Sequence, residues 1–523
     1  MSKIDGAMQD YALTLDKILD HAAKWHPDTE VVTAAEGQRV HRISYAGLRD
    51  NAMRVSAALA QIGVRRGDRV ATLAWNTLQH LECWYGIMNM GAVCHTLNPR
   101  LTADQLAWMV NQSEPVALVI SSDLACLAEE VMKLSGRRTT RVFTMGGAAG
   151  AFGEDLSGIV AGTDREVLWG DFDENAPCGL CFTSGTTGAP KGVSYTHRAN
   201  FLHSLRQLQA DVMGITSRDV VLPVVPMFHA NAWGLPFACP AAGAKLVLPG
   251  RNLDGAHLAR LIGAEGVTIA AGVPTVWFDV FDYLDRSGTD VPSLKRIIVG
   301  GAPTPPALVA RMETRGIEVQ TTWGMTELSP LGTASPPGIR HTDPALSGRP
   351  ALGLDLMLTD HDGVMLEQQR GKEGSLWVRG PAVVERYFGQ EQSTTSNGWF
   401  PTGDLATIDG LGNLQITGRS KDLIKSGGEW INPAEIEAAV AAHPSVSLAA
   451  VIGCADPKWG ERPLLLVELR EDEDPSDDDL IAVLRGKIAN WWIPKEIVRI
   501  RHMPLAATGK IDKLRLRDEY CRR

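Results

Sequence analysis

The chain lacks any apolar run long enough to cross a membrane; its hydrophobic stretches are short and broken by charge, Gly or Pro. It also lacks an excess of basic charge. The formal net charge is −10, which argues against nucleic acid or an anionic membrane as the main partner. Aromatics are sparse at 6%. No internal repeat, low-complexity tract or heptad pattern is present, so solenoids and coiled coils are excluded. The opening residues, MSKIDGAMQDYALTLDKILD, carry acids and no long apolar run. A secretory signal is not expected there, and the cytoplasm is the expected compartment.

Cysteine is scarce too. Eight residues are scattered along the chain, and a reduced, disulfide-free protein is the expectation. Cys178-Gly-Leu-Cys181 forms a CxxC, but no second ligand pair has zinc spacing. The pair lies in an apolar run that reads as a buried strand, so both are expected to be core thiols.

What is present is ordinary globular composition, 44% hydrophobic and 21% charged over 523 residues. That length exceeds one hydrophobic core and predicts two or more domains. Helix patterns at 45–62 and 104–112 alternate with strand patterns at 69–74 and 115–120. The alternation continues through DVVLPVVP, AKLVLPG, a helix near 256–265, GVTIAAGVP and LKRIIVGGAP. This is an α/β pattern with buried strands. After about residue 345 short strands with turns follow (LDLMLTD, GSLWVRG, NLQITG), which predicts a small β-rich subdomain. Asn432-Pro433 reads as an N-cap and first helical residue. The last hundred residues read strand, strand, a helix over 477–492, then strand. The expected division is a large N-terminal α/β domain over 1–418, with the β-rich subdomain at 345–418. A hinge at 419–421 and a small mobile α+β C-terminal domain over 422–523 complete it.

The segment TSGTTGAPKG, residues 183–192, is dense in Gly and hydroxyl side chains and carries one Lys, next to its last residue. Gly lets backbone approach a ligand. Successive N–H groups and hydroxyls make an anion nest, and Lys191 adds a mobile positive charge. The physical reading is a grip on polyphosphate, favoured over the alternative of a Gly-rich surface turn. The spacing is not that of GxxxxGK[ST].

Four further segments follow in order: TTWGMTE at 321–327, TGD at 402–404, GRSKDLIKSGGEWI at 418–431 and PLAATGKIDK at 504–513. Together with 183–192 they resemble the ordered motifs of the adenylate-forming superfamily. Its members include acyl-CoA synthetases, luciferases and adenylation domains of peptide synthetases. The resemblance covers essentially the whole chain. It implies that a carboxylate attacks the α-phosphate of ATP to give acyl-AMP and pyrophosphate, and that CoA then takes the acyl group. Both reactants of the first step are anionic, so catalysis is mostly positioning and charge neutralisation.

The resemblance assigns roles to residues of this chain. Thr183, Ser184, Gly185, Thr186, Thr187, Gly188 and Lys191 would hold the phosphates. Gly301, Ala302, Pro303, Thr322, Trp323, Gly324, Met325 and Thr326 would line the nucleotide. Trp323 stands where the superfamily usually has Tyr, and its larger face preserves stacking on adenine. Glu327, with Thr183, would hold Mg²⁺, an oxygen-seeking ion that also bridges phosphates. Asp404 and Arg419 would contact the ribose. Lys510 would bridge the attacking carboxylate and the α-phosphate. Lys421 would be the hinge residue, absorbing a φ/ψ change at an element end. Lys425, Gly427, Gly428, Glu429 and Trp430 would line the pantetheine path. Taken singly, Asp404 is a turn residue, Glu327 a helix-start acid and Lys510 a solvated Lys; the joint pattern lifts them.

PVVPMFHANAW, 223–233, resembles the gate segment of long-chain fatty acyl-CoA synthetases. HTLNPRL (95–101) and KSGGEWI also resemble the medium- and long-chain branch. By that resemblance His229 and Asn231 border an acyl pocket, His229 takes part in catalysis, and Trp233 opens and closes the acyl route. A medium- or long-chain fatty acid is the expected substrate, with a short thioether or aryl acid as the alternative. Loading of a carrier protein, luciferase-like oxygenation and a non-catalytic nucleotide sensor are the competing functions. A homodimer is the expected assembly, since similar enzymes frequently pair.

Overall fold

The computed structural model describes residues 8–34, 39–137, 139–147, 152–163, 166–183, 190–338, 343–426, 429–470, 472–506 and 510–521. Four sheets organise them. The first has seven strands, in the order Glu154–Asp155, Arg141–Met145, Ala117–Ser121, Arg69–Leu73, Val93–Leu97, Pro177–Phe182 and Gly192–Thr196. Its strands are parallel except for the last pair, an antiparallel hairpin. The second has nine strands, and its centre runs Glu318–Gly324, Arg296–Val299, Ile269–Gly272, Val220–Pro223, Lys245–Leu248 and Glu30–Ala34, all parallel. Central strands such as Arg296–Val299 are buried throughout, which is why they read as continuous apolar runs rather than alternating ones.

Helices fill the space around these sheets. Tyr45–Gln61 starts on Ser44, whose side chain accepts from Gly47 N–H. Ala103–Ser113 starts on a capping box formed by Thr102 and Gln105. Tyr45, Trp84, Tyr85 and Phe237 are fully buried in one continuous core. Burying one such side chain contributes roughly 1.5–3 kcal/mol. Cys178 and Cys181 are buried free thiols of the strand Pro177–Phe182, as the apolar run implied.

The third sheet is four-stranded and antiparallel: Asp355–Thr359, Glu373–Arg379, Phe400–Ile408 and Leu414–Arg419. It matches the β-rich style read after residue 345. The chain then makes a single 3₁₀ turn, Ser420–Asp422, and enters the fourth sheet at Ile424–Ser426. That sheet also holds Glu429–Ile431, Val446–Asp456, Gly460–Leu469 and Glu496–Arg499. The helix Pro433–Ala441 begins where Asn432 caps it, accepting from Ala434 N–H.

Two expectations are corrected. The helix expected over 477–492 is Asp477–Ala482 only, followed by turns and the 3₁₀ turn Asn490–Trp492. The helix closes on Val483, and Gly486, with φ +76°, keeps winding from resuming through the following residues. The chain is also not disulfide-free, because Cys454 and Cys521 are bridged. The strand Val446–Asp456 and the end of the helix Lys513–Tyr520 bring their Cα atoms to 5.1 Å across 67 residues. Scattered positions give no sign of that proximity.

Candidate active site

The hairpin Pro177–Phe182/Gly192–Thr196 carries the phosphate-loop segment at its turn. Ser184, Gly185, Thr186, Thr187 and Gly188 lie outside the described residues. The two ends of the loop are fixed. Thr183 N–H donates to Lys191 C=O at 2.8 Å, and Lys191 N–H returns to Thr183 Oγ1 at 3.2 Å. Lys191 Nζ stands 4.7 Å from the centre of the Tyr387 ring. Within the same hairpin, Tyr195 OH donates to Thr326 C=O at 2.9 Å, tying it to the TTWGMTE segment.

Glu327 is buried beside this hairpin. Tyr387 OH donates to its Oε1 at 2.9 Å. Burial raises the Glu327 carboxyl pKa above its ordinary value, while Tyr387, Arg419 and Lys191 pull it back down. Among the described residues no group of three or more His, Cys, Asp or Glu is arranged to hold a metal ion. A Mg²⁺ at Glu327 therefore fits the mode of one carboxylate plus substrate phosphates.

Trp323, Thr322 and Gly324 end the strand Glu318–Gly324, whose bent pairing sets Gly324 opposite Leu331. Met325 N–H donates to Pro330 C=O at 3.1 Å. The Trp323 indole is buried, and its N–H donates to Asp404 Oδ2 at 2.9 Å. The other Asp404 oxygen takes Arg419 Nε at 2.9 Å. Asp404 and Arg419 face each other across neighbouring strands.

Lys510 reaches the same place from the far end of the sequence. Loss of water around its ammonium pushes the pKa down to about 8, Arg419 and Lys421 add to the shift, and Asp404 and Glu327 oppose it. A β-carbon on Gly301 would lie 3.8 Å from Lys510 Cε. Gly301, Ala302 and Pro303 form the turn after the strand Arg296–Val299, with Ala302 and Pro303 exposed. His229 is held down to about 4 by burial, with the Lys510 charge adding to the shift, so its imidazole is neutral at pH 7. Lys510, Glu327, Asp404, Arg419, Lys421 and His229 are thus one electrostatic cluster, although their sequence positions span almost three hundred residues.

The segment after His229 has unusual backbone. Ala230, Asn231, Ala232 and Trp233 all have φ between 44° and 55°, and Gly234 has φ +76°. A left-handed turn costs L-residues roughly 1–2 kcal/mol each. Such strain persists where surroundings over-determine it, and it clusters at functional sites. Asn231 is 3% exposed and its Nδ2 has no hydrogen-bond partner among the described residues. Trp233 reaches the end of the sheet, where a β-carbon on Gly300 would sit 3.3 Å from its Cη2.

On the other side, Lys425 and Trp430 pair across the short hairpin Ile424–Ser426/Glu429–Ile431, with Lys425 Nζ 5.4 Å from the Trp430 ring centre. Lys425, Glu429 and Trp430 are exposed; Gly427 and Gly428 lie outside the described residues. Lys421 is in the 3₁₀ turn Ser420–Asp422 that joins the third and fourth sheets. Two contributors were not found by sequence reasoning. Tyr387 and Tyr195 hold Glu327 and Thr326, but each lies in a segment without a periodic or motif signal.

Residues 19–388 match the AMP-binding enzyme family, and residues 435–510 match the AMP-binding enzyme C-terminal domain. The 3-methylmercaptopropionyl-CoA ligase of Ruegeria lacuscaerulensis is 41% identical to the chain, covering 98% of each. The medium-chain-fatty-acid–CoA ligase of Ectopseudomonas oleovorans is 38% identical, over 98% of this chain and 97% of the relative. The long-chain-fatty-acid–CoA ligase of Thermus thermophilus is 39% identical over 99% and 98%. Among solved structures, o-succinylbenzoate CoA synthetase from Bacillus subtilis in complex with its acyl-adenylate intermediate superimposes with a TM-score of 0.82, at 26% identity over 96% of this chain and 98% of that one. No helix among the described residues is long and apolar enough to cross a membrane. With its ordered motifs, its fold and nearly its full length matched, the chain belongs to the AMP-binding enzyme family.

Proposed function

We propose that the protein is an AMP-forming acid–thiol ligase. It converts an apolar carboxylic acid and ATP to acyl-AMP and pyrophosphate, then passes the acyl group to CoA and releases AMP. The observation that carries this reading is the convergence of Lys510, Asp404, Arg419 and Glu327 at one end of the hairpin that bears the phosphate-loop segment. Three relatives of nearly equal length and 38–41% identity are named as CoA ligases.

Each residue has a task in this chemistry. The carboxylate and the α-phosphate repel one another. An ammonium between them lowers that repulsion and orients both. With a pKa of about 8, Lys510 is mostly charged at pH 7. Asp404, held by Trp323 and Arg419, presents a fixed acceptor for ribose hydroxyls. Lys191 and the phosphate loop hold the phosphates. Glu327 and Thr183 would hold Mg²⁺, which supplies neutralising charge to the pyrophosphate when bound. The neutral His229 and Asn231 border the acyl route, and Trp233 is its gate. Lys425, Glu429 and Trp430 line the thiol side. The unit after residue 422 rotates about Lys421 between the two half-reactions.

The substrate is a medium- or long-chain fatty acid, supported by the relatives of that name. A short thioether acid is the second reading. It is favoured by the 41% identical relative of that name. The enzyme is cytoplasmic and homodimeric, the latter checked by light scattering in solution. The deciding experiment is pyrophosphate release with ATP and Mg²⁺ over short thioether, graded fatty and aryl acids, with and without CoA. Turnover stimulated by CoA, with one preferred chain length, is expected. A single burst of pyrophosphate unaffected by CoA would replace CoA with a carrier protein as acceptor.

A further inference from the structure

His203 and Gln207 lie four residues apart on the helix His197–Leu208, hence on one face. Both are buried. Gln207 Nε2 donates to the carbonyl of Trp233 at 2.8 Å, the last carbonyl before Gly234 in the left-handed turn. Gly234 closes directly on the same two side chains. A β-carbon there would stand 2.6 Å from the His203 ring and 2.9 Å from Gln207 Oε1. The other edge of the His203 ring faces the nucleotide side. Its Nε2 accepts from Leu331 N–H at 3.1 Å, and Leu331 pairs with Gly324 of the TTWGMTE strand. Burial holds His203 neutral, at about 3, which keeps Nε2 an acceptor and the ring proton on Nδ1.

We infer that His203 and Gln207 are positioning residues that clamp the Trp233 turn and join it to the strand pair carrying Trp323 and Gly324. A purely structural role would satisfy these two side chains against their own helix or the core. Gln207 Nε2 does contact the buried Met213 sulfur at 3.1 Å, but the remaining bonds go to two separate backbone segments, Trp233 C=O and Leu331 N–H, one on each side of the proposed acyl–nucleotide junction. The strained turn needs an external restraint, and Gln207 supplies a hydrogen bond at its end. Acid selectivity therefore depends on Gln207, whose amide holds the Trp233 carbonyl and, among the described residues, makes no hydrogen bond to the Gly324–Leu331 strand pair. His203 affects both acid and ATP, because it touches both sides. The inference rests on the reading of Trp233 as the acyl gate.

The test compares Gln207→Met, His203→Leu, His203→Gln and Trp233→Ala, using steady-state pyrophosphate release over saturated acids of graded length. Thermal melting serves as the fold control. Gln207→Met is expected to raise the KM of the preferred acid about threefold to tenfold, the effect of losing one net hydrogen bond, and to flatten the chain-length profile. Its KM for ATP stays within about twofold of the parent. His203→Leu raises both KM values, and His203→Gln, which keeps an acceptor for Leu331, restores the ATP value. If Gln207→Met does not fold, Gln207→Leu also removes the donor with a smaller apolar side chain and is expected to flatten the profile in the same way. A folded Gln207 variant with an unchanged profile, while Trp233→Ala shifts it, overturns the clamp. If Trp233→Ala leaves the profile unchanged, the gate reading itself fails.

Discussion

The Trp323 indole N–H donates to Asp404 Oδ2 at 2.9 Å, and Asp404 Oδ1 takes the Arg419 guanidinium at the same distance. One carboxylate is thereby fixed from two sides, by residues from different strands. Trp323→Phe keeps an aromatic face but removes the donor. The expected outcome is a rise of about twofold to tenfold in the KM for ATP, with a smaller change in kcat. ATP saturation at fixed acid measures it. An unchanged KM for ATP would show that Arg419 alone orients Asp404.

Tyr387 acts on Glu327 in a similar way. Its hydroxyl favours the ionised carboxyl, whereas burial favours the protonated one. Tyr387→Phe removes the stabilising hydrogen bond, so the Glu327 pKa rises further. A protonated Glu327 is a poorer cation ligand. The Mg²⁺ concentration for half-maximal activity should therefore increase in the variant, and more at pH 6 than at pH 8. Equal increases at both pH values would indicate a steric effect and not a titration.

Much of this site was legible in the sequence because it is carried by local motifs. The hairpin strands flanking 183–192, the strand carrying Asp404 and the strand carrying Trp323 are continuous segments. The buried parallel strands were equally legible, as short apolar runs such as Arg296–Val299. Non-local relations were not. Nothing in the spacing of Tyr387 and Glu327 announces their hydrogen bond across 60 residues. The run Ala230–Trp233 was recognised as a motif, but its left-handed backbone is contrary to the propensity of its residues. The Cys454–Cys521 contact and the early end of the helix Asp477–Ala482 likewise depend on tertiary packing.

Lys510 gives the clearest separation of the two half-reactions. Lys510→Ala is expected to abolish adenylate formation while largely sparing thioester formation from preformed acyl-AMP. Quenched-flow assays of each half-reaction measure this, and equal loss of both would remove its assigned role. The pH dependence follows from the same group. In the proposed role the ammonium form is the active one, and its pKa is lowered to about 8. The kcat/KM for adenylation should therefore be flat below that value and fall as pH rises through about 8. Thioester formation from acyl-AMP should lack that basic limb.

The Cys454–Cys521 bridge ties the strand Val446–Asp456 to the end of the helix Lys513–Tyr520. That helix begins three residues after Lys510, so its anchoring bears on where the lysine loop sits. Two ion pairs also hold it, Lys513 to Glu437 at 2.7 Å and Arg517 to Asp422 at 3.3 Å. The second of these reaches the residue beside Lys421. Closing a loop of 67 residues removes unfolded-state entropy worth about 4 kcal/mol in the chain-entropy description. Protein prepared and denatured without reductant should titrate six free thiols, and eight after reduction. Reduction should lower the unfolding midpoint of the unit after residue 422. A Cys454→Ser/Cys521→Ser variant should start at that lower midpoint and not respond to reductant. Where the bridge is open, the ion pairs and the buried Leu516 still hold the helix, but less tightly, and the adenylation half-reaction should lose more rate than thioester formation. Eight free thiols before reduction would remove the bridge, and with it this difference.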